Sequence, residues 1–99
     1  MPRESKFQSD VIRRLKSEFP GCLVLKNDPT YIQGIPDLSI LFENRWATLE
    51  VKRSHAEPYR PNQEYYVDLM RSMSYSDFIF PENEERVFDE LQVALYHRR

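Results

Sequence analysis

Two acidic residues and a lysine, Asp37, Glu50 and Lys52, have the spacing expected of neighbours on one face of a β-hairpin. Apolar and polar residues alternate in two successive segments, which predicts two strands, at 37–42 and 46–52. A two-residue loop between the strands would place Asp37 directly opposite Glu50, with Cβ atoms about 5 Å apart. The two-residue period of a strand puts Lys52 on the same face as Glu50.

Facing carboxylates repel each other, so this arrangement calls for a counter-charge. Magnesium takes oxygen ligands and keeps several waters, so one or two carboxylates and a substrate phosphate make a sufficient site. Such a metal lowers the pKa of bound water and neutralises charge at a phosphorus centre, and Lys52 can orient that water. The alternative is a solvent-facing sheet in which Lys52 relieves the repulsion between Asp37 and Glu50.

The apolar residues of the two predicted strands support this register. Six of them fall on the face opposite the charged residues, namely Leu38, Ile40, Phe42, Ala47, Leu49 and Val51. A slip of one residue would move the charges into the core. The sequence therefore predicts a hairpin with one apolar face and one face that carries chemistry.

The rest of the chain predicts the elements that position this hairpin. Apolar residues at helical spacing indicate a first helix, which begins at Pro2 or is capped by Ser5. A continuous apolar run predicts a buried strand at 22–25. Pro61 and Pro81 are favourable first residues for two later helices, with a short strand at 78–80 between them. Helical spacing predicts an apolar face on the first of these helices, made of Tyr66, Leu69, Met70 and Met73. The last helix has an inward face made of Val87, Phe88, Leu91 and Leu95, and its first turn carries the acids Glu82, Glu84 and Glu85. The order α-β-β-β-α-β-α predicts an α/β fold with a small mixed sheet, and the central hairpin is flanked by helices.

Length and composition set limits on the class of protein. Ninety-nine residues, 40% apolar and 30% charged, predict one globular domain over 1–99. The single cysteine excludes a disulfide framework and a multi-cysteine zinc site. No apolar run approaches the ~20 residues that span a bilayer, and the charged start is unlike a signal peptide, so we expect a cytoplasmic protein.

The net charge of −2 hides an asymmetry between the two halves. Residues 1–60 hold ten Lys and Arg against eight Asp and Glu, a balance of +2, whereas residues 61–99 hold four against eight, a balance of −4. A polyanion would therefore meet the first half. The candidates for contact with a phosphate backbone are Lys6, Arg13, Arg14, Lys26, Arg53 and Arg60.

Two short motifs carry a family resemblance. The segments Gly34-Ile35-Pro36-Asp37-Leu38 and Glu50-Val51-Lys52 resemble the PD-(D/E)XK nuclease superfamily. Within it the chain is similar to the virus-type replication-repair nuclease (VRR-NUC) domains, compact members found in phages and at the end of larger repair enzymes. Glu4, Lys26-Asn27 and Pro61-x-Gln63 extend the match. Met73-Ser74-Tyr75 departs from it, because the family usually has a glycine there.

The resemblance implies a restriction-endonuclease-like core and a role for each matched residue. Asp37 and Glu50 would hold Mg²⁺ or Mn²⁺, the backbone carbonyl of Val51 would ligate it, and Lys52 would position the attacking water. Glu4 would complete the acidic cluster, with a surface acid near the helix dipole as the alternative. Gln63 would lie near the site, with a plain surface residue as the alternative.

The implied function is a metal-dependent DNA endonuclease that hydrolyses phosphodiester bonds. By resemblance to stand-alone phage members we expect a homodimer that acts on branched DNA such as Holliday junctions, in a bacterial or phage-infected cell. The dimer seam would need apolar residues outside the core, and the candidates are Tyr31, Ile32, Leu41 and Trp46. The alternative is a non-catalytic DNA-binding or adaptor module, against which the intact Asp37, Glu50 and Lys52 argue.

Overall fold

A four-stranded sheet between helices organises the chain in the computed structural model, which describes residues 4–96 and, in the first helix, side chains from Lys6 onward. Strand order is β1-β2-β3-β4; the first two pairings are antiparallel and the last is parallel. The elements are α1 (Glu4–Glu18), β1 (Leu23–Lys26), β2 (Leu38–Phe42), β3 (Arg45–Val51), α2 (Gln63–Arg71), β4 (Tyr75–Ile79) and α3 (Glu84–Tyr96). The predicted α/β class, element order and mixed sheet are confirmed.

The β2–β3 hairpin has the predicted register. Phe42 pairs with Arg45 and Leu38 with Leu49, across a loop in which Glu43 takes a left-handed φ of 56°. The predicted apolar face is buried throughout and packs against α1 and α3. Burial of this face explains the register, because a slip of one residue would expose it.

Helices α1 and α3 cover the apolar face of the sheet. Their buried side chains recur at three- and four-residue spacing, as predicted: Phe7, Val11 and Leu15 from α1, with Phe19 directly after it, and Val87, Phe88, Leu91 and Leu95 from α3. Helix α1 has begun by Glu4, so the prediction that Ser5 caps it is wrong. A start at Pro2 lies outside the described residues.

Strand β1 is an edge strand, which corrects the prediction of a buried one. Among the strands of residues 4–96 it pairs only with β2, and Leu23 and Leu25 are 60% and 46% exposed. A run of apolar residues indicates that a strand forms, but the position of that strand in the sheet decides how much of it is covered. Val24, on the other face, packs against the core.

Helix α2 covers the opposite face of the sheet and provides the crossover that parallel strands require. It begins at Gln63 rather than Pro61, because Asn62 takes a left-handed φ of 71°. The predicted apolar face of α2 is also wrong: Gln63 and Val67 are buried, whereas Leu69 and Met73 are exposed. The sheet residues on this face include the buried polar side chains of Thr48, Glu50 and Ser76, so a glutamine faces inward beside Val67.

Two further boundaries differ from the sequence prediction. Strand β4 begins at Tyr75, earlier than expected, and Pro81 opens a short 3₁₀ turn before α3. None of the helices in the described part of the chain has the length and apolar character needed to cross a membrane.

Candidate functional site

A cleft of about 440 Å³ opens at the end of the hairpin that carries Asp37 and Glu50. Its walls are the β1–β2 loop, the adjoining ends of β2 and β3, and the segment that leads into α2. The lining residues are Gln8, Pro29, Thr30, Gln33, Gly34, Ile35, Asp37, Glu50, Lys52, Glu57, Arg60, Pro61 and Gln63. The structure therefore gathers Asp37, Glu50, Lys52 and Gln63 in one cleft.

Asp37 and Glu50 meet at the end of the β2–β3 ladder. Strand pairing ends at Leu38 and Leu49, and Asp37 Oδ2 then accepts a hydrogen bond from the backbone N–H of Val51, at 2.9 Å. Both side chains line the cleft, and Glu50 is near enough to influence the pKa of the Asp37 carboxyl. The observed register therefore makes the two acidic side chains neighbours, as the sequence predicted.

The face that carries these side chains is not open to solvent, so the alternative of a solvent-facing sheet is wrong. Glu50 and Lys52 are each only 2% exposed. Helix α2 covers them, and its first residue connects them: Gln63 Nε2 donates to Glu50 Oε2 at 2.7 Å, and Gln63 Oε1 accepts from Lys52 Nζ at 2.6 Å. Gln63 is thus a buried bridge and not a surface residue.

The ammonium of Lys52 has a fixed position. It also donates to the carbonyl of Pro58 at 3.2 Å, and Glu57 Oε2 lies 3.9 Å away. The side chain of Glu57 is 8% exposed, and its Oε1 accepts from the backbone N–H of Arg53. A buried ammonium needs such partners, because desolvation of an uncompensated charge is costly.

The two loops that wall the cleft touch at Gly34. This glycine has a φ of 92°, and a Cβ there would lie 2.6 Å from the Cβ of Asn62 and 2.8 Å from the carbonyl oxygen of Pro61. Only glycine meets both the conformational and the spatial requirement. Asn27 secures the other end of the β1–β2 loop, because its side chain donates to the carbonyl of Pro36 and to Ser39 Oγ, each at 2.9 Å.

Burial raises the pKa of the Asp37 carboxyl, against the opposing effects of the Val51 N–H, the contact with Glu50 and the charges of Lys52 and Arg60. A carboxyl with a raised folded-state pKa favours the protonated form in the folded protein. Its contribution to stability is therefore complete below the ordinary aspartate pKa and is lost as the pH rises through the raised value.

We expect the free energy of unfolding of the wild type, minus that of Asp37→Asn, to fall as the pH rises from about 4. The physical reason is that asparagine does not titrate, whereas Asp37 must ionise in a buried site. Urea unfolding at a series of pH values with a chelator present measures the difference. A difference that grows with pH would contradict the direction of this pKa shift.

The donor set suits a hard divalent cation. It consists of the carboxylate oxygens of Asp37 and Glu50, which are oriented by hydrogen bonds from the Val51 N–H to Asp37 Oδ2 and from Gln63 Nε2 to Glu50 Oε2. Within residues 4–96 no group of three or more His, Cys, Asp or Glu is placed to hold a metal. Two carboxylates are enough for Mg²⁺, which keeps several waters. Helix α1 includes Glu4, but the side chain of Glu4 lies outside the described residues.

The basic residues named from the sequence differ in whether their charges are already paired with acidic residues of the protein. Arg60 lines the cleft, and neither Arg60 nor Lys26 forms an ion pair with any residue that the structure describes. Arg53 lies 3.6 Å from Glu57 and is half exposed. Lys6 and Arg13 are exposed and both pair with Asp10.

Arg14 is occupied by contacts within the protein. Its guanidinium pairs with three acidic residues and lies 4.1 Å from the ring centroid of Phe88; the pairs are with Glu18, Glu84 and Glu85. These contacts raise its pKa, chiefly through the hydrogen bond to Glu85. They join α1 to α3 and weigh against a role for Arg14 in binding a phosphate.

Sequence reasoning missed Glu57 and Gln8 as cleft residues. Glu57 lies in an irregular segment, where no periodic pattern marks a residue as inward-facing. Gln8 lies on α1, beside the apolar residue Phe7, and nothing in a single sequence distinguishes it from a solvated glutamine. The only available signal was the position of Glu57 close after Lys52, which is weak.

Comparisons with known proteins add nothing to this geometry. No protein-family model matches the chain, and neither a curated protein nor a solved structure shows significant similarity to it. The candidate site therefore rests on the residues of the cleft alone.

Proposed function

We propose that the cleft binds a divalent cation and a DNA backbone, and that the protein is a metal-dependent endonuclease that hydrolyses phosphodiester bonds. The observation that carries the proposal is the meeting of Asp37 and Glu50 in a cleft beside the buried ammonium of Lys52. The proposed nuclease function implies a restriction-endonuclease-like core. The sheet with a central hairpin and flanking helices is compatible with that core.

Each acidic residue has a defined part in the proposal. Asp37 and Glu50 would hold Mg²⁺ or Mn²⁺, together with the backbone carbonyl of Val51. When bound, the cation would supply Lewis-acid activation of water and neutralise charge on the phosphoryl oxygens. The Val51 N–H orients Asp37, and Gln63 orients Glu50, so both carboxylates are positioned before any ligand arrives.

Lys52 and Arg60 both supply positive charge to the cleft: Lys52 is buried in it, and Arg60 is exposed on its wall. An ammonium has three N–H donors, and the hydrogen bonds to Gln63 and Pro58 use two of them. The third would donate to the attacking water or to a phosphate oxygen. Arg60, exposed on the wall, would contact the DNA backbone, where a guanidinium pairs well with phosphate.

Incubation of the purified protein with labelled linear, flapped, splayed and four-way DNA tests the proposal. We expect cleavage with Mg²⁺ or Mn²⁺ and none with a chelator. Binding of DNA without cleavage in any metal would instead favour the non-catalytic module. Absence of both binding and cleavage would reject the two functions together.

We expect a homodimer that cuts a four-way junction faster than linear duplex of the same sequence. Exposed apolar residues on the edge strand and its neighbour suit a seam: Leu23, Leu25 and Leu41 are each 39% exposed or more. Of the other candidates named from the sequence, Ile32 and Trp46 are half-buried, and Tyr31 lies in the loop that walls the cleft, so we leave it out of the seam. Two copies would set two clefts at a fixed separation, which a branched substrate can meet. Light scattering gives the mass, and cleavage of the two substrates in parallel gives the preference. A monomer with equal rates on both would refute this expectation.

A further inference from the structure

Tyr31 is the most exposed large hydrophobic residue in the described part of the chain, at 84%. In that part, no hydrogen bond or ring contact of its side chain is found. Its removal would therefore cost the fold little. Packing within the domain does not explain why a large aromatic ring is exposed at this position, so we consider a role in binding.

Tyr31 lies in the loop that forms one wall of the cleft. Thr30 and Gln33, on either side of it in the sequence, line the cleft, whereas the ring of Tyr31 is exposed outside that lining. The backbone is ordered by its own hydrogen bonds: Asp28 Oδ1 accepts from the N–H and hydroxyl of Thr30, and the carbonyl of Asp28 accepts from the N–H of Tyr31 at 3.1 Å. The contact of Gly34 with Asn62 anchors the same loop to the opposite wall. The ring is thus presented on a fixed support.

Two cations near this wall can contact the phosphate backbone of a nucleic acid. Lys26 ends the strand that leads into the loop, and Arg60 lines the cleft; neither forms an ion pair within residues 4–96. Cations that track a backbone, together with aromatic rings that stack on bases, are the features of single-strand recognition. In a paired duplex the base faces are covered by neighbouring bases, so a stacking ring needs unpaired ones.

We propose that Tyr31 stacks on an unpaired base of a single-stranded segment that enters the cleft. This inference rests on the proposed function and narrows its substrate: among branched DNAs it favours flaps and splayed arms, which have unpaired bases, over fully paired junctions. Tyr31 is a substrate-binding residue in this account and takes no part in the chemistry at Asp37 and Glu50.

Binding measured in a chelator, where no cleavage occurs, tests the inference independently of catalysis. The probes are fluorescent oligothymidylate of about 20 nucleotides, an abasic strand of equal length and a matched duplex. We expect Tyr31→Ala to weaken binding of the oligothymidylate about 5- to 150-fold, and Tyr31→Phe to keep wild-type affinity. The wild type should bind the abasic strand as weakly as Tyr31→Ala does.

Tyr65→Ala is the matched control. Tyr65 is also an exposed tyrosine, at 61%, but it lies two positions after Gln63, about 200° around α2 from the residue that enters the cleft. Its removal should leave binding unchanged. Circular dichroism and thermal melting should show that both alanine variants are folded.

The outcomes separate this inference from the proposed function. Wild-type affinity of Tyr31→Ala, equal weakening by Tyr31→Phe, or equal binding of abasic and normal strands would overturn the stacking role, and metal-dependent cleavage would then stand by itself. Tyrosine-dependent binding of single strands without cleavage in any metal would keep the stacking role and reject the nuclease. Failure of the wild type to bind single strands would also overturn the stacking role.

Discussion

Asp37→Asn and Glu50→Gln should each abolish metal-dependent cleavage. Loss of either carboxylate would remove one of the two ligands of the proposed metal site. Metal activation is worth several kcal/mol, so the rate should fall about a thousandfold or more. Single-turnover cleavage of labelled DNA in Mg²⁺ and in Mn²⁺ measures the effect. Both metals are tested because a site that has lost one ligand can fail to bind one metal and still bind the other.

The same two variants should remain folded and be at least as stable as the wild type without metal. An asparagine oxygen can still accept from the Val51 N–H, and a glutamine oxygen at position 50 can still accept from Gln63 Nε2. Asp37→Asn also removes a carboxyl whose ionisation is opposed by burial. A gain of 1 kcal/mol would raise the melting temperature by about 4–8 °C.

Metal-dependent melting supplies the control for these variants. Mg²⁺ should raise the melting temperature of the wild type, because a ligand that binds only the folded state stabilises it, and should leave both variants unchanged. Cleavage retained by both variants would contradict the assignment of the metal site. Loss of cleavage with unaltered stabilisation by Mg²⁺ would place the metal elsewhere.

Lys52→Met should lower the rate of cleavage by about 100- to 1000-fold, the effect of removing one preorganised donor in an active site. Methionine preserves most of the apolar stem and removes the ammonium. Affinity for DNA should change little, because a group that acts on developing charge contributes chiefly in the transition state. Saturated single-turnover rates and binding in a chelator measure the two quantities separately.

Lys52→Met should also destabilise the protein, because it removes the donor to Gln63 Oε1 and the Pro58 carbonyl. We expect a cost of about 1–3 kcal/mol. Arg53→Met is the matched control: it removes the neighbouring cation, which is half exposed, and should change neither the rate nor the stability by a comparable amount. A variant at Lys52 with weakened binding and an unchanged saturated rate would make Lys52 a phosphate contact only.

The hairpin and its acidic pair could be predicted because the information is local. Alternation of apolar and polar residues specifies which face of each strand is buried, and a two-residue loop then determines which residues oppose one another. Asp37 and Glu50 are therefore neighbours whatever covers them. The apolar faces of α1 and α3 could also be predicted, because a helix that covers a sheet repeats its buried residues every three or four positions.

The surroundings of the acidic pair could not be predicted from the same patterns. Helix α2 buries Glu50 and Lys52, and Gln63 bridges them, through contacts between residues 11 and 13 positions apart in the chain. A polar inward face on a helix has no apolar period to reveal it. For that reason the sequence also left open the alternative of a solvated Lys52.

Strand β1 and Arg14 show the same division between local pattern and long-range packing. By itself the sequence determined that a strand follows α1 and that acids begin the last helix. Only the tertiary structure decided that Leu23 and Leu25 lie at an exposed edge, and that Arg14 pairs across to Glu84 and Glu85. Local periodicity specifies the faces of an element, whereas its neighbours depend on how the whole chain packs, and burial and ion pairing follow from those neighbours.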